Sequence, residues 1–179
     1  IAALVKHNGS IRRGDLISVI RTLYPFLKAE LFLKWQDDEL KDQICAYVDA
    51  LINAKLITVD AEDHLISPAP NSEDHNQLVV LAAPVMQSLE RYYMTLALIT
   101  QRGSGNISIR QVEELSHLVG QRLSVLYEFN SPEFFDKALF QSFMKVLTQQ
   151  GYIRNNEDNA IVFDENFQNV AQYANLVLD

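Results

Sequence analysis

With 179 residues, of which 48% are apolar and 21% charged, the chain has ordinary globular composition and length for one domain or two small ones. Fifteen Lys and Arg against 23 Asp and Glu give a net charge of −8, which opposes binding to nucleic-acid phosphates unless a local basic face overrides it. The single Cys45 excludes an internal disulfide and fits a reducing compartment; within its helical pattern it is expected as a small buried thiol.

The chain opens on an apolar run, Ile1 to Val5, that reads as the end of a helix in a longer protein. Gly9 after Asn8 is its expected stop. No signal peptide is visible, and the longest apolar run, Leu78 to Val85, is far short of a membrane span. Ile11 falls in a short extended link. From Asp15, Leu16, Val19, Ile20, Leu23, Leu27 and Leu31 recur at helical spacing. Pro25 lies inside this pattern and is expected to kink or interrupt the helix near Arg21 to Tyr24, because it removes a backbone donor. Asp37-Asp38 opens a further helix with Leu40, Ile44, Tyr47, Val48 and Leu51 on one face. Leu56 to Val59 and His64 to Ser67, around the polar turn Asp60 to Asp63, read as a β-hairpin ended by Pro68 and Pro70.

Asn71 to Asn76 reads as a polar link and Gln77 to Gln101 as a long helix, which Pro84 either kinks or restarts. Tyr92 and Tyr93 on it are expected in the core. Ser108 to Gln111 forms a capping box ahead of a helix carrying Val112, Leu115, Leu118, Val119, Leu123 and Leu126. In Asn130-Ser131-Pro132-Glu133-Phe134-Phe135-Asp136-Lys137, Ser131 suits an N-cap and Pro132 the first helical position. That helix would carry Leu139, Phe140, Phe143, Val146 and Leu147 to a stop at Gly151. Tyr152 to Arg154 and Ala160 to Phe163 flank a second polar turn, and Asp164 caps a last helix with Phe167, Val170, Tyr173, Ala174 and Val177.

A shift of 96 residues aligns the two halves without gaps in apolar pattern: Gly9 on Gly105, Ile11 on Ile107, Val19 on Leu115, Ile44 on Phe140, Leu51 on Leu147, Leu65 on Ile161. Phe26 on Arg122 and Leu40 on Asp136 break it. Each half reads helix, extended link, helix, helix, hairpin, which is the order of a winged helix. The expected fold is mainly α with short β-hairpins: two tandem winged-helix-like modules, 1–70 and 103–179, joined by a long helical segment, 71–102.

A winged helix invites a DNA-binding reading. The third helix of the first module, however, carries Asp38, Glu39, Asp42 and Asp49 against Lys41, and both hairpin turns are acidic or neutral, so no nucleic-acid partner is expected. His7, His64, His75 and His117 have no metal-ligand spacing, and Gly103-Ser104-Gly105 lacks the Lys of a phosphate loop. Neither a metal nor a cofactor is expected. Phe32, Lys34 and Trp35 form a candidate membrane-interface contact, since Trp and Lys favour that boundary; Asp37, Asp38 and Glu39 oppose it.

Leu23 to Trp35 (LYPFLKAELFLKW), LITVD at Leu56, LERYY at Leu89, Gln121 to Phe140 (QRLSVLYEFNSPEFFDKALF) and QQGYI at Gln149 resemble the C-terminal region of bacterial membrane-bound sn-glycerol-3-phosphate acyltransferase. The resemblance covers nearly the whole chain in one order. It implies a parent enzyme, on the cytoplasmic face of the inner membrane, that transfers an acyl group from acyl carrier protein or acyl-CoA to glycerol 3-phosphate and makes lysophosphatidate. The family's catalytic signature is His-x-x-x-x-Asp, the His acting as general base. Here Arg12, Ala69, Val80 and Arg122 stand five residues after the four His, so no catalytic residue is assigned to this chain. The motif and the phosphate-binding residues are expected upstream of Ile1. The implied role is a soluble, non-catalytic portion that packs on or regulates the catalytic domain of the same chain, with homo-oligomerisation left open. Acyl carrier protein, itself acidic, should dock on a basic surface elsewhere. The alternative is an independent tandem winged-helix adaptor or DNA-associated protein. Phe134, Phe135, Asp136 and Lys137 form a candidate docking surface, because capping alone does not require them.

Overall fold

A computed structural model describes the backbone of residues 1–127 and 136–175, and the side chains of 1–122 and 136–174. The elements run α1 (Ala2–Asn8), β1 (Ser10–Arg12), α2 (Arg13–Leu31), α3 (Asp37–Asn53), β2 (Thr58–Val59), β3 (His64–Ile66), α4 (Glu73–Arg102), α5 (Ile109–Tyr127), α6 (Lys137–Gln149), β4 (Ile153–Asn155), β5 (Ile161–Phe163) and α7 (Glu165–Asn175). The described chain is therefore mainly helical with short antiparallel strand pairs. One sheet has the order β1-β3-β2, the other pairs β4 with β5.

The two halves coincide under the 96-residue shift at the level of single hydrogen bonds. β1 pairs Arg12 with His64, and the isolated bridge of the second half pairs Ser108 with Ala160. Thr58 and Val59 face Ile66 and Leu65, as Arg154 and Asn155 face Val162 and Ile161. α2 starts at Arg13 and α5 at Ile109, 96 residues later, and α3 and α6 end at equivalent residues, Asn53 and Gln149. The hairpin turns share one device. Asp60 Oδ1 accepts from the N–H of Glu62 and of His64, each at 2.9 Å, and Asn156 Oδ1 accepts from Asp158 at 3.0 Å and Ala160 at 2.8 Å. A short Asp or Asn side chain can close such a turn because it mimics a backbone acceptor. The left-handed residues recur as well: Gly9 with Gly105, Asp63 with Asn159 and Lys55 with Gly151.

The Lys55–Gly151 pair gives a direct test. Both positions follow a helix end and have positive φ, 61° and 75°, and an added Cβ at Gly151 meets nothing within 4 Å. Gly151→Ala should therefore cost only the left-handed backbone penalty, about 1 kcal/mol, while Lys55→Gly should be neutral or slightly stabilising. Urea unfolding of the two variants measures both.

Some local expectations give way to tertiary packing. Pro25 lies inside α2 and Pro84 inside α4, and neither interrupts nor restarts its helix. α4 begins at Glu73, because Ser72 caps it by accepting from His75 N at 3.1 Å; the expected link Asn71 to Asn76 is largely its first turn. Tyr47 and Leu118, expected on apolar faces, are 46% and 52% exposed. Cys45 is half-buried and reduced. The Ser108–Gln111 capping box forms as expected: Ser108 N donates to Gln111 Oε1 at 2.9 Å and Gln111 N to Ser108 Oγ at 3.3 Å. Ser131 and Pro132 lie outside the described residues. Asp136, expected inside the helix they would start, is instead the extended N-cap of α6, its Oδ1 accepting from Ala138 N at 2.6 Å.

The buried residues form one continuous cluster that includes both halves. α2 packs on α6 and α7, α1 packs on α4, and α7 lies along the second part of α4. The junction is aromatic. Phe26 of α2 meets Phe143 of α6 at 5.0 Å between ring centroids, Tyr152 at 6.1 Å and Tyr92 of α4 at 6.0 Å, and Tyr92 stacks on Phe143 at 4.5 Å.

Candidate functional site

Beside this junction lies a buried polar seam between α2 and α4. The buried stripe of α2 runs Leu16, Val19, Leu23, Phe26 in alternating steps of three and four. The next position on that stripe is Glu30, so helical geometry carries a carboxylate into the interior. α4 answers with Ser88, Arg91 and Tyr92, neighbours on one helix face. Ser88 Oγ and Tyr92 Oη each donate to Glu30 at 2.6 Å, and Arg91 Nη2 forms a charge-assisted hydrogen bond to the same carboxylate. The side chains of Arg91 and Glu30 are only 6% and 10% exposed. Tyr92 Oη also lies 3.2 Å from the carbonyl of Phe26.

The electrostatics follow from this arrangement. Burial alone would raise the pKa of Glu30, but the donors Ser88, Tyr92 and Arg91, with the charge of Arg91, together hold it below the usual carboxylate range. Burial pushes the Tyr92 phenol far up, and the hydrogen bond to Glu30 pushes it further. At neutral pH the seam is thus a carboxylate, a guanidinium and a neutral phenol. Each is already engaged with another, which suits packing rather than proton transfer.

A cavity of about 290 Å³ adjoins the seam, between α4, α5 and α6; Arg91, Thr95, Ser116, His117, Lys137 and Phe140 are among its lining residues. Asp136 and Lys137, from the expected docking surface, sit at this cavity, and Lys137 Nζ reaches Glu113 Oε1 of α5 at 2.5 Å. Phe134 and Phe135 lie outside the described residues. The structure therefore places half of that candidate set at the α5–α6 junction.

At the candidate membrane contact, Phe32 closes α2 in the left-handed region, φ 53°, and is 90% exposed. Lys34 is exposed with Nζ 5.7 Å from the centre of the Trp35 ring. Trp35 is half-buried: its ring meets Tyr47 edge-on at 5.7 Å, and its carbonyl accepts from Tyr24 Oη at 3.0 Å and Lys28 Nζ at 2.8 Å. Among the described residues, no helix is long and apolar enough to cross a membrane, and no group of three or more His, Cys, Asp or Glu is placed to hold a metal ion.

Nothing local in the sequence marked the seam, because its partners stand about 60 residues apart. The readable signal was the position of Glu30 on an otherwise apolar stripe. A buried acid requires a partner, and Arg91 in LERYY, on the long helix, was available to supply it.

The fold and the seam define a duplicated helical region whose buried charged pair is spent on holding helices together. The family model of the glycerol-3-phosphate acyltransferase C-terminal region matches residues 1–156, and the chain belongs to that family. It is 37% identical over 174 residues to the glycerol-3-phosphate acyltransferase of Pseudomonas paraeruginosa (strain DSM 24068 / PA7), covering 97% of this chain and 21% of that protein. Proteins of the same name from Ectopseudomonas mendocina (strain ymp) and Pseudomonas entomophila (strain L48) are 36% and 33% identical over 88% and 96% of this chain, which covers 19% and 21% of theirs. The chain thus spans about a fifth of the length of these curated relatives. No solved structure matches it.

Proposed function

We propose that this chain is the non-catalytic C-terminal portion of a glycerol-3-phosphate 1-O-acyltransferase, packing on and stabilising the catalytic part of the same polypeptide. The observation that carries this reading is the family match over residues 1–156 in a sequence with no His-x-x-x-x-Asp pattern. The buried seam supports it, since Glu30, Arg91 and Tyr92 are committed to one another. The parent enzyme would take glycerol 3-phosphate and an acyl donor, acyl carrier protein or acyl-CoA, and yield lysophosphatidate at the cytoplasmic face of the inner membrane. Its acidic C-terminal portion would leave acyl carrier protein to a basic surface elsewhere. We read the chain as two winged-helix-like units, 1–70 and 103–179, joined through 71–102 and used for packing.

Acyl transfer from acyl-CoA to glycerol 3-phosphate tests this. The full-length protein should be active and should lose activity when the His of its upstream motif is changed to Ala, while residues 1–179 alone should transfer nothing. Acyl transfer by residues 1–179 alone would overturn the assignment. So would an inactive full-length protein together with tight, salt-sensitive binding of this chain to duplex DNA.

A further inference from the structure

α4 is 30 residues long, about 45 Å at 1.5 Å per residue. Between Asp74 and Glu90 it carries no Asp, Glu, Lys or Arg. One side of this stretch is used: Leu78 and Ala82 are buried. The other side is open. Val79, Val80 and Leu81 are 38%, 70% and 51% exposed, with Ala83 and Pro84 exposed beside them. A solvated helix face ordinarily carries charge, and clustered exposed aliphatic residues mark an interaction surface.

We infer that the uncharged Val79–Val80–Leu81–Pro84 face of α4 is the docking surface for the catalytic part of the acyltransferase chain. One observation chooses that occupant. The chain matches the C-terminal region of its family and covers about a fifth of its relatives' length, so in proteins of that size most of the polypeptide lies outside these residues. This inference rests on the accessory reading proposed above.

The test uses the full-length protein with a photo-crosslinking phenylalanine analogue placed at Val80 and, separately, at Leu81; Asp158 at the exposed second hairpin turn is the control. The expected result is an intramolecular adduct to a peptide upstream of residue 1 from both α4 positions, at least tenfold above the yield from position 158. Adducts only to lipid, adducts only to a second copy, or no adduct above control would each overturn the docking face. Acyl transfer is assayed on the same preparations. Intact activity without the adduct rejects this face alone, whereas no acyl transfer by the unsubstituted full-length protein rejects the accessory reading itself.

Discussion

Glu30→Ala should be among the most destabilising single substitutions in this chain, lowering stability by about 3–5 kcal/mol because it strands a charge in the interior. Arg91, only 6% exposed at its side chain, would lose its carboxylate, and Ser88 and Tyr92 would lose their shared acceptor. For a chain of this length, each kcal/mol moves the midpoint by roughly 2–4 °C, so the thermal transition should fall by about 10 °C. Glu30→Gln, which keeps shape but not charge, should fall less. Acidification probes the same seam. The folded pKa of Glu30 is depressed, so its stabilisation is complete above the unfolded carboxylate value, about 4.3, and is lost as pH falls through the lower folded value. The Glu30→Ala protein should therefore show a shallower loss of stability on acidification than the unaltered chain. An equal slope in both would mean that Glu30 titrates alike in the folded and unfolded states.

Phe26→Ala should cost about 3–5 kcal/mol, the range for removing a buried aromatic from a packed core. Phe26 is 2% exposed and touches Tyr92, Phe143 and Tyr152, so one side chain joins α2, α4 and the second half. Truncation opens a cavity where the two halves meet and removes the ring facing the stacked Tyr92–Phe143 pair. Phe26→Leu, which refills much of that space, should recover more than half of the loss. Urea unfolding followed by tyrosine fluorescence measures both, and an unchanged midpoint for Phe26→Ala would show that the aromatic junction does not form.

These two residues also show where sequence pattern stops being informative. The repeat was visible because turn chemistry and apolar spacing are local: Asp60 and Asn156, Gly9 and Gly105, Leu65 and Ile161 serve the same conformational needs 96 residues apart. Phe26 on Arg122 looked like a flaw in that alignment. It is where the symmetry must fail, since Phe26 faces the other half and Arg122 faces solvent. Glu30, whose counterpart in the shift is Leu126, departs from the repeat for the same reason. Of the two outcomes expected at Pro25 and Pro84, interruption or restart of the helix does not occur. Pro25 sits between buried Tyr24 and Phe26, and the packing of α2 outweighs one missing backbone donor. Tyr47 and Leu118 fit a helical period yet lie outside the buried stripe, because period alone does not say how wide that stripe is.

The most direct test of the accessory role is acyl transfer by the full-length enzyme carrying Glu30→Ala, measured across temperature beside the unaltered enzyme. Equal kcat and KM are expected at a temperature where circular dichroism shows both proteins folded, with a thermal inactivation midpoint lower by several degrees in the variant. A loss of kcat in the folded variant would place this region in the chemistry, and an unchanged inactivation midpoint would show that it does not stabilise the catalytic part.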